Sequence, residues 1–403
     1  MDSASERTCN PISTQELERR WKAVRHAMSD KGIDFLIMQN TNQFLGGYVK
    51  WFTDVPAFHG YPITVIFPRD DDMTTIACGP RKNPESALTD LSAQDWAFRG
   101  VKNRITAPFF ASLHYTKTFD AEFVVDELKP MKDCTIGFVG LGQINAATHH
   151  YVTSHLTSAV FVDATDLVDN IKAIKSEEEI GLIKRTAALQ DVAFEEALQA
   201  LKPGMRDYEI MSMVQHTVQN LGSEEQLIMA GSAPMGTPCM MLKRHFANRQ
   251  IQAGDQFTLM IEVSGPGGLY TELSRNAVLG KASDALLKNV EIAIEAQKVT
   301  LDLMKPGADP KDLVAANNAF LRSKGFPEEK RLYGHGQGYD LVERPAIRDD
   351  ESMKLAANMN ITLHPIVATD TVYAWVCDNY LVTETGVSEC LHKTPKKVFE
   401  LDV

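Results

Sequence analysis

Two stretches of the sequence concentrate side chains that can do chemistry. The first is FTLMIEVSGPGGLYTELSRNAVLG, Phe257 to Gly280, which sets Glu262 and Glu272 on apolar runs either side of a glycine-rich tip. A carboxylate in an apolar strand is costly unless it is paired or hydrogen-bonded. Burial also raises its pKa, which fits it for proton transfer near neutrality. The plainer alternative is an outward-facing strand residue. The second stretch runs from Leu332 to Asp378 and holds His335 in GHGQG, His364 in MNITLHPIV, and Cys377 beside Asp378. A buried imidazole needs a partner; alone, each histidine reads as satisfied by backbone, but together they suggest one pocket. Glu272, His335, His364 and Cys377 make a mononuclear N/O/S set suited to zinc or iron. Without a metal the same groups are acid, base and substrate clamps. Cys377 is equally well a small buried residue. Asp378 is a candidate for orienting a histidine. Arg275, three residues after Glu272, can bind a substrate carboxylate through bidentate hydrogen bonds or simply neutralise Glu272.

These residues need strands to carry them. Glu262 and Glu272 read as standing on the two arms of a hairpin. Gly334 and Gly336 flank His335 and allow close backbone approach. Upstream, Ser176-x-x-Glu179 is a capping box that opens a long amphipathic helix, which Lys202-Pro203-Gly204 ends before a second helix starts at Asp207. ALLKNVEIAIEAQKVTLDLMKPGADPKDLVAANNAFLRSKG repeats the pattern of long helix, Lys-Pro-Gly and shorter helix. The recurrence implies a pseudo-symmetric domain over residues 166–403 with a site between its halves. Residues 1–165 read as a small α/β domain. Ser13 to Lys31 is helical, with Leu17, Trp21, Val24 and Met28 on one face. IDFLIMQ, CTIGFVG and AVFVDAT are strands, PITVIFP and MTTIAC form a hairpin, and Ala121–Leu128 and HHYVTSHL are helical. The fold class is therefore α/β.

Composition narrows the function classes. The chain has 403 residues, 44% hydrophobic and 23% charged, with a net charge of −12. An acidic chain without basic clusters argues against nucleic acid or an anionic membrane as partner. The six cysteines are scattered without a CxxC pair, as for free thiols in a reducing compartment. No signal peptide or membrane-length apolar run is visible, so a cytoplasmic location is expected.

The motifs IKSEEEIGLIKRTA, LKPGM, LMKPGAD, AGDQFTL, GHGQG and DNYLVTETG resemble the signatures of the pita-bread family of creatinase, prolidase, aminopeptidase P and methionine aminopeptidase. The resemblance spans nearly the whole chain, and in length and layout it is most similar to creatinase. It implies a C-terminal pita-bread α+β domain. It also implies a homodimer in which the N-terminal domain overhangs the partner's site, with Trp51, Phe52, Phe58 and His59 as lid and substrate contacts. Family peptidases hold two metals with Asp, Asp, His, Glu and Glu. Those positions fall here on Glu262, Glu272, His335, His364 and Cys377. The resemblance thus points to a creatinase-type member that needs no metal or other cofactor. His245 lies near a family histidine that handles substrate or proton, and Glu343 and Arg344 replace the region of a second one.

The expectation is a metal-independent, creatinase-like hydrolase of a C–N bond in a small amidine, cyclic amidine or amide. A histidine moves the proton, a glutamate orients water or substrate, and Arg275 or Arg344 binds a carboxylate. Three alternatives stand beside it: a lyase performing β-elimination on a betaine-like substrate, a mononuclear metal hydrolase or Xaa-Pro peptidase, and a binding protein without catalysis.

Overall fold

The computed structural model describes residues 10–40, 42–45, 47–56, 60–79, 99–110 and 118–402. The chain divides into two compact units, Pro11–Lys172 and one that includes Ala173–Val403.

The first unit opens on α1 (Thr14–Lys31). Ser13 caps it by accepting from the Glu16 N–H, and Gly32, at φ 64°, closes it in the left-handed region. Leu17, Trp21, Val24 and Met28 are all buried, as their spacing predicts. Then follow β1 (Phe35–Asn40), α2 (Gly47–Thr53), β2 (Ile63–Pro68), β3 (Met73–Cys78), β4 (Val101–Ala107), α3 (Phe119–Leu128), β5 (Thr135–Val139), α4 (Ala146–His155), β6 (Val160–Asp163) and α5 (Thr165–Lys172). The strands form one mixed sheet in the order β4-β3-β2-β1-β5-β6. The expected β2–β3 hairpin is present and antiparallel. Ile37, Ile66, Ile76, Val124, Ile136 and Phe138 fill the core.

Trp51 and Phe52, expected to overhang a partner's site, are packed within this unit. Both are buried. The Arg20 guanidinium lies 5.3 Å from the Trp51 ring centroid, and the Trp21 indole N–H donates to the Phe52 carbonyl at 2.8 Å. Phe58 and His59 lie outside the described residues.

The second unit begins with α6 (Glu177–Ala200), where the Ser176/Glu179 capping box is present in full. Next come α7 (Asp207–Asn220), β7 (Glu225–Pro234), β8 (Leu242–Lys243), β9 (Asp255–Ser264) and β10 (Tyr270–Leu279). The helix pair then recurs as α8 (Asp284–Leu301) and α9 (Pro310–Ser323). Seven short strands complete the chain: β11 (Gly334–Gly336), β12 (Glu343–Ala346), β13 (Asn360–Leu363), β14 (Ile366–Ala368), β15 (Tyr373–Trp375), β16 (Asp378–Leu381) and β17 (Phe399–Leu401). One sheet runs β17-β10-β9-β7-β8 and another β12-β11-β13-β16. An antiparallel bridge between Ser274 and Cys377 joins the two.

Strand alternation decides what faces the site. On β9 and β10 the odd residues Leu259, Ile261, Val263, Leu273, Ala277 and Leu279 pack with Leu189, Phe194 and Val214 of α6 and α7. The even residues, Glu262 and Glu272 among them, therefore point to the opposite face. Among the described residues no helix is long and apolar enough to cross a membrane.

Candidate active site

The β9–β10 ladder places Glu262 directly opposite Glu272. Both are buried. Burial, reinforced by the charge of Glu272, pushes the Glu262 carboxyl well above its usual range, against a hydrogen bond from Gln337. Burial pushes Glu272 up to about 7, opposed by a hydrogen bond from Cys377 and by the field of Arg331.

An amide network locks this pair in place. Gln337 Nε2 donates to Glu262 Oε1 at 2.7 Å and to the Leu341 carbonyl. Gln337 Oε1 accepts from Asn379 Nδ2 at 2.8 Å, and Asn379 Oδ1 accepts from the Glu272 backbone N–H at 2.8 Å. Asn360 donates to the carbonyls of Tyr270 and Gln337 and accepts from Asn379. Strands β10, β11, β13 and β16 thus meet through the three amide side chains of Gln337, Asn360 and Asn379, and Gln337 holds Glu262.

His335 on β11 and His364, just after β13, come from facing strands with ring centroids 5.3 Å apart. His335 Nδ1 lies 2.9 Å from the Gly336 carbonyl oxygen, which leaves the Nε2 lone pair free. Burial lowers the His335 pKa to about 4. Burial, with His335 and Arg331 adding to it, holds His364 well below the usual imidazole range. Both rings are neutral at pH 7. His364 Nδ1 is buried and has no hydrogen-bond partner among the described residues.

Ligand atoms of Glu272, His335 and His364 all lie within 4.8 Å of one another. Two neutral imidazoles and one carboxylate are a donor set that holds one divalent ion. With an ion bound, the Gly336 carbonyl would be the outer partner that fixes the His335 imidazole, and the His364 nitrogen would gain a partner. A two-ion centre needs bridging carboxylates, and Glu272 is the one carboxylate of this cluster. Cys377, a substrate contact in the metal-free expectation and a fourth ligand in its alternative, is not part of this cluster. Its Sγ lies 3.2 Å from Thr362 Oγ1 and 3.6 Å from the Glu272 carbonyl oxygen. Burial, then the Glu272 charge, raises its pKa well above the usual thiol value, so it is a thiol that packs.

Several expected contacts stand elsewhere. Arg275 is three residues from Glu272 and so points to the opposite face of β10. It is fully buried, and it donates to the carbonyls of Pro395, Ser274, Cys377 and Thr394 and to Asp378 Oδ1 at 2.6 Å. All five of its N–H groups are used, and none is left for a substrate. Asp378 orients no site histidine. It sits with Arg275, Lys396 and His392, and although burial opposes it, Arg275 first and Lys396 next hold its pKa below normal. Asp378, Cys390 and His392 also cluster within 4.8 Å. Two cations already balance that carboxylate, so the cluster is no metal site. Glu343 forms a buried ion pair with Lys175 at 2.7 Å and accepts from the Asp340 N–H. Arg344 pairs with Glu351 and Ser352 at the surface. His245 is exposed beyond β8.

The reading from sequence missed Gln337, Asn379, Arg331 and Trp375. Gln337 had a signal, being the polar residue inside GHGQG. Arg331 had none, because its importance comes from what it stacks on.

A family model described as metallopeptidase family M24 matches residues 181–384, just over half of the chain. An uncharacterized hydrolase/peptidase of Sinorhizobium fredii is 25% identical over 395 residues, covering 95% of this chain and 96% of that protein. The Xaa-Pro dipeptidase of Pyrococcus furiosus is 25% identical over 247 residues, covering 59% of this chain and 68% of that protein. Among solved structures, the X-Pro aminopeptidase of Thermotoga maritima matches with a TM-score of 0.74 and 20% identity, over 94% of this chain and 99% of that one. A prolidase of Thermococcus sibiricus gives 0.79 and 16%, over 97% and 100%. These structures share the fold: an N-terminal α/β domain followed by a pita-bread domain.

Proposed function

Because the chain belongs to metallopeptidase family M24, we propose that it is a hydrolase that breaks a C–N bond of a small amide-like molecule, assisted by one divalent ion at Glu272, His335 and His364. The convergence of those three donors, with one imidazole nitrogen orphaned, carries this reading. The activities of similar proteins, Xaa-Pro dipeptidase and X-Pro aminopeptidase, support a peptide-type C–N bond.

When bound, such an ion supplies Lewis-acid polarisation and a more acidic water. The remaining work belongs to the chain. Glu262 carries the proton. Water loses one proton as its oxygen bonds to the carbonyl carbon, and the nitrogen gains one as the C–N bond breaks. A single carboxyl cycling between neutral and ionised forms balances both transfers, and a raised pKa suits it to that task. Gln337 holds Glu262 Oε1, which leaves Oε2 to carry the proton. The apolar side chains of Met260 and Trp375 keep bulk water from the centre.

A creatinase-like, metal-independent mechanism is the second reading. The Glu272 pKa of about 7 favours it, because such a carboxyl is already poised for proton transfer. One experiment separates the readings: turnover of Xaa-Pro dipeptides, N-acyl amino acids and cyclic amidines in heavy-oxygen water, with and without a chelator. The proposal predicts solvent oxygen in the product and loss of turnover on chelation. Chelator-resistant hydrolysis supports the second reading. An unsaturated product without solvent oxygen contradicts both and indicates elimination.

A further inference from the structure

Beside the catalytic groups lies a wall whose part in the chemistry above is only to keep out bulk water. Trp375 is buried 6.3 Å from the His364 ring and 5.9 Å from Tyr373, measured between centroids. Met260, Leu227, Met229, Met241 and Ile366 pack around it. Among the described residues its indole N–H has no acceptor. An unsatisfied buried donor is uncommon in a folded protein, and this one stands next to the site.

Arg331 lies over the same ring, with its guanidinium carbon 5.6 Å from the centroid. Glu329 takes Nη2 at 2.7 Å, while among the described residues Nε and Nη1 have no acceptor. The side chain is 45% exposed, yet its field reaches Glu272, His364 and Tyr373. The donors of Arg275 are all engaged and Arg344 is held by Glu351 through Nε and Nη2, whereas Arg331 keeps donors to spare beside this centre.

We propose that Arg331 and the Trp375 indole N–H hold a carboxylate at the non-reacting end of the substrate, while the Met229, Met241 and Ile366 wall takes its hydrocarbon body. Arg331 is then a specificity-determining residue, and the substrate class is a small apolar-bodied monocarboxylate with an amide-type bond. The assignment rests on the hydrolase reading only for the identity of that bond.

The test measures binding and needs no turnover. Hexanoate and its neutral counterpart hexanamide are titrated by calorimetry into the full-length wild type, Arg331→Gln and Trp375→Phe. The expected result is a preference of about tenfold or more for hexanoate in the wild type, lost in Arg331→Gln. Trp375→Phe keeps the ring and loses only the N–H, so it lowers hexanoate affinity severalfold and hexanamide affinity less, because a neutral amide oxygen is the weaker acceptor. Equal affinity for the two probes in the wild type overturns the proposal. So does a hexanoate preference that survives Arg331→Gln, because the anion is then held by the catalytic centre. If the preference follows Arg331 but no C–N bond is hydrolysed, the anchor stands and the hydrolase reading fails.

Discussion

Glu262 and Glu272 share a strand pair and a burial, yet their surroundings give them different work. Glu272 joins two neutral imidazoles, while Glu262 is held by Gln337 and is free to carry a proton. Replacing Gln337 by Leu leaves Glu262 Oε1 without its donor and takes one of two acceptors from the Asn379 amide. Turnover should fall by about 10²-fold, with a stability loss of about 1–3 kcal/mol. Steady-state kinetics beside urea unfolding read both. Arg275 makes the opposite case. Arg275→Met removes the partner of a buried carboxylate and should destabilise the fold by about 3–5 kcal/mol, with KM unchanged in the protein that remains folded. An increase in KM without loss of stability would show that it does bind substrate. His392 provides a pH signature. Burial lowers its pKa to about 4, against the pull of Asp378 and Asp191. An unfolded histidine titrates near 6.5. The neutral ring therefore contributes its full stability above about 6.5, and that contribution is lost as pH falls toward 4, by up to about 3 kcal/mol. Comparing urea midpoints at pH 7 and pH 5 should show a shallower decline in His392→Gln than in the wild type.

At the scale of elements, much was legible in the sequence. Ser176 and Glu179 form the capping box their spacing announces, and Leu17, Trp21, Val24 and Met28 form the buried stripe of α1. These signals are local, set within one or two turns of chain. Glu262 and Glu272 were legible as charged residues on apolar arms around a glycine tip. What alternation implies for Arg275 was also present in the sequence, since three residues along a strand reverse the face. The carboxylate–guanidinium chemistry drew attention away from that parity. The segments around α2 and β4 carry weak periodicity, and Trp51 and Phe52 look like exposed aromatics until the Arg20 and Trp21 contacts are known. One element prediction follows from β11. A Cβ on Gly336 would meet the Arg344 carbonyl oxygen at 2.5 Å and the Glu343 carbonyl oxygen at 3.1 Å. Those atoms are backbone and cannot swing away. Gly336→Ala should therefore push β12 off β11, displace His335, and lower both turnover and thermal stability. A variant with wild-type values would show that β12 adjusts freely.

At the scale of the molecule, the centre is assembled from parts far apart in sequence. Glu272 is 107 residues from the Asn379 that receives its N–H, and Glu262 is 75 from Gln337. Such pairings are set by sheet topology, which no short motif encodes; for this reason Asn379, Trp375 and Arg331 were invisible until the strands were placed. The two helix pairs of the second unit bury the outer faces of its sheets and leave the inner faces to these polar groups. The central claim is that the inner faces build a one-ion centre from Glu272, His335 and His364. The most direct measurement is elemental analysis of the purified wild type, Glu272→Gln and His364→Ala, beside turnover. About one equivalent of a divalent transition metal per chain is expected in the wild type, lost in both variants together with activity. A wild type that turns over at full rate without stoichiometric metal, or one that holds two ions per chain, would contradict it.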